Sequence, residues 1–198
     1  IMKQKKIALI GGAGFIGHNL ALSLKKRGHE PSIIDNLGVN NILSFTTSKS
    51  KDRKLYWTIL NQRMDLLNSN GININVEDAR DFGSLCRVLD LINPDVIIHL
   101  AAVSHADKSN KDPHSTFDHS LRTLENCLDI ARSFNKEYHC QFIYFSSSMV
   151  YGNFASDEVD EETNCNPLGI YDTLKYAGEL IVKSYNRVFG LPYTIIRP

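Results

Sequence analysis

The chain has 198 residues, enough for one domain with a real core, and its 22 basic residues balance 22 acidic ones. That balance leaves no net field to draw nucleic acid or a membrane surface, and the basic stretch from Lys49 to Lys54 reads as a solvated loop. No apolar run approaches the ~20 residues that span a bilayer, and the scattered Cys86, Cys127, Cys140 and Cys165 contain no Cys-x-x-Cys pair.

Ile1 to Lys6 passes straight into a strand-like run, without the h-region or cleavage site of a signal peptide. A cytoplasmic protein with free thiols, no disulfide frame and no metal site is therefore expected. Ile7 to Ile10 is a short apolar run bounded by glycine, as in a buried parallel strand. Ile16, Leu20 and Leu24 then recur at helical spacing, with Gly28 as the stop. Pro31 to Asp35 is a second strand ending in an acid. Residues 72–76 alternate like a third strand, and Val96 to Leu100, entered through Asn93-Pro94-Asp95, is a fourth. Leu121, Leu124, Leu128 and Ala131 share one helix face. Gln141 to Phe145 is a fifth strand running into Ser146 to Ser148. Tyr171 to Val188 is a long helix, and Tyr193 to Ile196 is a sixth strand. There are no internal repeats.

Strands alternating with helices predict an α/β fold: a doubly wound parallel sheet with helices on both faces. Right-handed crossovers then put the ligand crevice at the carboxyl ends of the strands. Residues 38–70 are long for a connection between strand and helix. A helix over Leu55 to Leu67 is predicted there, as an insertion on the adenosine side of a cofactor.

Gly11-Gly12-Ala13-Gly14-Phe15-Ile16-Gly17 lies between a strand and a helix, and both Gly12-x-Gly14-x-x-Gly17 and Gly11-x-x-Gly14-x-x-Gly17 fit a dinucleotide fingerprint. Glycine there allows a tight turn, close approach of backbone to pyrophosphate, and close helix packing. The helix N-terminus then faces the phosphate charge. Asp35, 21 residues beyond Gly14, can accept from both ribose hydroxyls and would repel a 2′-phosphate, which favours NAD over NADP. Asp78, after the third strand, can accept from the adenine amino group, whereas Asp81 reads as a helix N-cap.

Tyr171 and Lys175 stand four residues apart, so on a helix they share one face. Free tyrosine titrates near a pKa of about 10, and a nearby positive charge favours its phenolate. The spacing alone also occurs on ordinary exposed helices; the glycine turn, Asp35 and the serine run give it meaning.

Taken together these pieces resemble the extended short-chain dehydrogenase/reductase family, a Rossmann-type group that includes nucleotide-sugar epimerases and dehydratases. The matching stretches are Gly11 to Gly17, Asp35-Asn36-Leu37, Asp78-Ala79-Arg80, His99-Leu100-Ala101-Ala102, Ser147-Ser148-Met149-Val150-Tyr151-Gly152, Tyr171-x-x-x-Lys175 and Arg197-Pro198. The resemblance implies a cofactor site of Gly11, Gly14, Phe15, Ile16, Gly17, Asp35, Asn36, Asp78, Ala79, Leu100, Ala101 and Ala102, joined by Tyr171 and Lys175. It implies that Ser147 bonds the reacting sugar hydroxyl. Tyr171 becomes general base and then acid, and Lys175 holds the nicotinamide ribose and keeps Tyr171 acidic. It also implies a nucleotide-diphosphate sugar substrate, a homodimer, and a C-terminal substrate domain that this chain lacks. His99 is expected as a structural strand-end histidine.

Two departures stand out. Ser120 occupies the position where the family often has Asn, and Leu174 precedes the lysine in place of a small hydroxyl residue. Dehydratases of the family carry an acid after the catalytic Ser/Thr; here those positions are Ser148 and Met149, and neither serves as an acid. This leaves chemistry at sugar C4: epimerisation as the first reading, a 4-dehydrogenase or a 4,6-dehydratase as the alternative, and a non-catalytic NAD-binding regulator as the third. Against that, His99-Leu100-Ala101-Ala102-x-Ser104-His105-x-Asp107 resembles the dehydratase subgroup, with Ser104, His105 and Ser148 as further candidate substrate contacts beside Ser147.

Overall fold

Strand β1 (Lys6–Ile10) sends successive side chains to opposite sides, and both sides are buried from Ile7 onward. Ala8 and Ile10 enter one apolar cluster and Ile7 and Leu9 the other, so the sheet needs a helical layer on each face. The computed structural model describes residues 3–39, 41–46, 50–103, 106–137, 140–154 and 157–198, with the backbone alone at 106–108 and 135–137.

After β1 come α1 (Phe15–Lys26), β2 (Glu30–Ile34), α2 (Ile42–Thr46), α3 (Arg53–Ser69) and β3 (Asn73–Asn75). Next are α4 (Phe82–Ile92), β4 (Val96–His99), α5 (Ala106–Lys111), α6 (Pro113–Phe117) and α7 (Thr123–Glu137). The chain closes with β5 (Gln141–Phe145), α8 (Ile170–Phe189) and β6 (Tyr193–Ile196). All strand pairs are parallel, in the order β3-β2-β1-β4-β5-β6. Strand order reverses between β1 and β4, which opens a crevice at their carboxyl ends.

One core cluster packs Leu85 and Leu89 of α4, Leu124 and Leu128 of α7 and Val182 of α8 on Ile97, Phe142 and Tyr144. The other packs Ala21 of α1 and Leu67 of α3 on Ile33 and Ile98. Fully burying each leucine, isoleucine or valine among them contributes roughly 1.5–3 kcal/mol before chain entropy is counted. Asp81 caps α4 by accepting from the Ser84 amide at 2.9 Å, as its position predicted.

Several elements differ from expectation. Strand β3 keeps only Asn73 to Asn75; the amide of Ile72, just before it, donates to the Leu67 carbonyl of α3 at 3.1 Å. Asp35 and Leu100 lie one residue beyond their strands, at the mouth of the crevice. The helix carrying Leu121 starts as a π-turn (Asp118–Arg122) before α7 begins. The insertion holds two helices, α2 and a longer α3 than Leu55 to Leu67.

Candidate active site

A groove of about 470 Å³ runs along the carboxyl ends of β2, β1, β4 and β5. Gly11, Gly14, Phe15, Ile16, Gly17, Asp35, Asn36, Asp78, Ala79, Leu100, Ala101 and Ala102 all line it, and so do Ser147, Tyr171 and Lys175. Ser148 does not line it: it opens a short 3₁₀ turn (Ser148–Tyr151), and its amide donates to the Pro198 carbonyl at 2.9 Å. Ser104 and His105 lie outside the described residues.

The glycine turn fits a dinucleotide. Gly11 has φ +74°, and a Cβ on it would meet the Ala101 backbone at 2.8 Å, so β1 and β4 close together only around glycine there. A Cβ on Gly17 would strike the Gly12 carbonyl at 2.4 Å, which holds α1 tight on the turn. Gly14 begins α1 without a side-chain cap or a first-turn acid, so the first helical amides are left for an anion in the groove. A Cβ on Gly14 would meet only the Gly11 carbonyl, at 3.4 Å, leaving the pyrophosphate's approach as the reason for glycine.

Asp35 accepts from Ala13 N at 3.0 Å and from Leu37 N at 2.8 Å, which aims the carboxylate along the turn. Burial raises its pKa, opposed by those two amides and by the charge of Arg63. Asp78 is engaged by Arg80 at 2.7 Å and by Asn36 Nδ2 at 3.2 Å; chiefly the Arg80 hydrogen bond drives its pKa far down, and it stays charged. Asn126 Nδ2 holds this loop from α7 by donating to the Ala79 and Arg80 carbonyls, each at 2.9 Å.

At the other end, Ser147, just past β5, meets Tyr171, the second residue of α8. Burial raises the Tyr171 pKa, and a hydrogen bond with Ser147 opposes that rise. Lys175 lies one turn further along α8, 4 % exposed, and burial pulls its pKa down to about 8. Its Nζ donates to the Phe145 carbonyl at 2.6 Å and sits 6.0 Å from the centre of the Tyr171 ring. Desolvation dominates the Tyr171 pKa here, and the Lys175 ammonium donates to the strand end.

His99 is fully buried, with Nε2 3.0 Å from Thr123 Oγ1. The Thr123 hydroxyl also lies 2.9 Å from the His119 carbonyl and 3.2 Å from the Ser120 carbonyl of the π-turn, so His99 is tied to that turn. Burial, with the charge of Lys175, lowers the His99 pKa to about 3, and it is a neutral structural group. Ser120 is buried inside the turn and does not reach the groove, whereas His119 and Thr123 line it.

The network beneath the serines was not foreseen. Glu179 is fully buried, accepts from Ser146 Oγ at 2.6 Å, and is gripped by Arg197 at 2.9 and 2.7 Å. Burial would raise its pKa, but the bonds from Arg197 and Ser146 outweigh that and lower it. Arg197 also donates to Tyr151 Oη at 2.9 Å. The signal was present: Tyr171, Lys175 and Glu179 continue one helix face at intervals of four.

Among the described residues no helix is long and apolar enough to cross a membrane, no group of three or more metal-ligating side chains gathers, and all four cysteines are free thiols.

The chain is similar to known proteins in sequence and in fold. A putative UDP-glucose 4-epimerase of Methanocaldococcus jannaschii is 31% identical over 96% of this chain and 54% of its own length. The dTDP-glucose 4,6-dehydratase of Salmonella typhimurium is 27% identical over 94% of this chain and 52% of its own. The structure of a UDP-N-acetylglucosamine 4-epimerase from Methanobrevibacter ruminantium superposes with a TM-score of 0.76 at 26% identity, covering 99% of this chain and 55% of that one. The chain thus spans about half the length of the curated relatives it matches. The family model for NAD-dependent epimerases and dehydratases matches residues 7–198, from the first strand through the glycine turn to Arg197-Pro198. The chain belongs to the NAD-dependent epimerase/dehydratase family.

Proposed function

We propose that the protein is a nucleotide-sugar 4-epimerase that works by transient oxidation at sugar C4. The observation that carries this reading is the convergence of Ser147, Tyr171 and Lys175 on the β5 end of one groove, with no acid on the turn Ser148–Tyr151. NAD, held along the groove by the glycine turn and Asp35, would supply the acceptor for the C4 hydride and the source for its return.

Tyr171 takes the proton of the C4 hydroxyl as the C4–H bond breaks and a C4 carbonyl forms. Ser147 orients that oxygen by hydrogen bonding. Tyr171 then gives the proton back when hydride returns to the opposite face of the rotated 4-keto sugar. Met149, the second residue of the 3₁₀ turn, is 44 % exposed and has no proton to move, which favours C4 chemistry alone over loss of water.

The test is incubation of the protein with uridine, guanosine and thymidine diphosphate sugars. The reading expects sugar interconversion without net NADH, lost by about 10²–10⁴-fold in Tyr171→Phe. Net NADH would mark a 4-dehydrogenase and loss of one water a dehydratase. No turnover of any sugar would leave an NAD-binding regulator. Full activity in Tyr171→Phe would sink the mechanism.

A further inference from the structure

The chemistry above uses nothing from the insertion, yet the insertion reaches the glycine turn. Ala13, in the middle of that turn, is fully buried. Its amide donates to Asp35. Its carbonyl accepts two hydrogen bonds, from Asn41 Nδ2 at 3.1 Å and from Arg63 Nη1 at 3.0 Å. Asn41 directly precedes α2, is 1 % exposed, and is oriented by accepting the Ile42 amide at 2.8 Å. Arg63 comes from α3, 50 residues away in the chain, and lines the groove beside Asp35.

That carbonyl belongs to the peptide whose N–H is Gly14. Fixing it fixes the plane of the peptide that enters α1, and so the aim of the first helical amides. The turn does little of this for itself, since its own bond from Gly14 N to the Gly11 carbonyl is long, at 3.4 Å. Arg63 Nε is buried without a hydrogen-bond partner among the described residues. The guanidinium is held where it meets the turn.

We propose that Asn41 and Arg63 are positioning residues for the cofactor: the insertion clamps the glycine turn through the Ala13 carbonyl and thereby sets affinity for the cofactor's pyrophosphate. This rests on the groove being the NAD site.

The test is calorimetric titration of NAD, ADP and AMP into the wild type, Arg63→Met, Arg63→Lys, Asn41→Ala and the double variant, with melting temperatures measured alongside. Arg63→Met should weaken NAD and ADP by about tenfold, the effect of one charge-assisted bond. AMP, which has no pyrophosphate, should change little. Arg63→Lys, which keeps a donor and the stem, should stay within about threefold of wild type. The two losses should fall short of adding in the double variant, because both act on one carbonyl. A melting temperature that falls while NAD affinity holds would reduce the clamp to packing and overturn the proposal. Equal weakening of ADP and AMP would also overturn it, since the contact would then be to adenosine. A wild type that does not bind NAD would remove the cofactor groove itself, and the clamp with it.

Discussion

Lys175 donates from Nζ to the Phe145 carbonyl at 2.6 Å, so its ammonium hangs from the last residue of β5, 6.0 Å from the centre of the Tyr171 ring. A cation is thereby stored under the groove, in a place where burial opposes charge.

That storage lowers stability. The Lys175 pKa is about 8 in the folded chain, against about 10.4 for an unfolded lysine. Between those values the unfolded chain binds more protons, so stability rises with pH across that window, and the penalty is fully present below it. Lys175→Met should therefore melt higher than wild type at pH 7, with a gap that narrows as pH rises from about 8 to about 10.4, and yet turn over no substrate. Thermal melts across that range, paired with an activity assay, check both halves. A variant that melts lower at every pH contradicts the assignment.

Glu179 has the opposite sign. Its carboxylate is held by Arg197 and Ser146, which places its folded pKa below the usual glutamate value. The stability it contributes is present above the unfolded value of about 4.3 and lost as pH falls through the lower folded value. Removing one partner of a buried pair strands the other, so Glu179→Ala should cost about 3–5 kcal/mol. Urea titration at neutral pH measures this. A loss under about 1 kcal/mol would mean the pair is not closed in the folded protein.

Tyr171 is poised as a neutral phenol, because burial raises its pKa. The positive charge of oxidised nicotinamide favours the phenolate, whereas the neutral reduced form does not. Tyr171 should therefore titrate at lower pH with NAD than with NADH. The phenolate absorbance of wild type, corrected with Tyr171→Phe, follows this directly. Identical titrations with the two forms would mean that Tyr171 does not face the nicotinamide.

Helix α8 approaches β5 through Gly178. A Cβ there would lie 2.3 Å from Tyr144 Oη and 2.7 Å from the ring carbon that bears it, and Tyr144 is itself buried. Gly178→Ala must push α8 off the sheet, and overpacking of this kind costs roughly 1–3 kcal/mol. Since Tyr171 and Lys175 ride on the same helix, turnover should fall further than stability does. Denaturant melts and initial rates of the same preparation test this, and unchanged rates would show that α8 seats without Gly178.

Much of this was legible in the sequence where local chemistry decides position. The apolar run Ile7 to Ile10, the glycine turn and Asp35 state a strand, a turn and a strand end in neighbouring residues. Tyr171 and Lys175 share a face by spacing alone. What could not be read depends on partners distant in the chain. Arg63 meets Ala13 across 50 positions, and Arg197 meets Glu179 only once β6 lies beside β5. The π-turn at Asp118–Arg122 was hidden because its leucine spacing is that of an ordinary helix, and only the Thr123 hydroxyl on two of its carbonyls marks it. The Lys175 bond to the Phe145 carbonyl was not legible either, since spacing gives a shared face and not the direction in which an ammonium points.

The proposed epimerisation removes hydride from sugar C4 and returns it while Tyr171 moves the proton, and an isotope at C4 reports on both steps. The protein would be given NAD and a uridine diphosphate sugar carrying deuterium at C4, and the product examined by mass spectrometry and NMR. The account predicts the C4 epimer with deuterium still on C4 and no net NADH. Product that has lost the label to solvent, or that has lost a water, would contradict it.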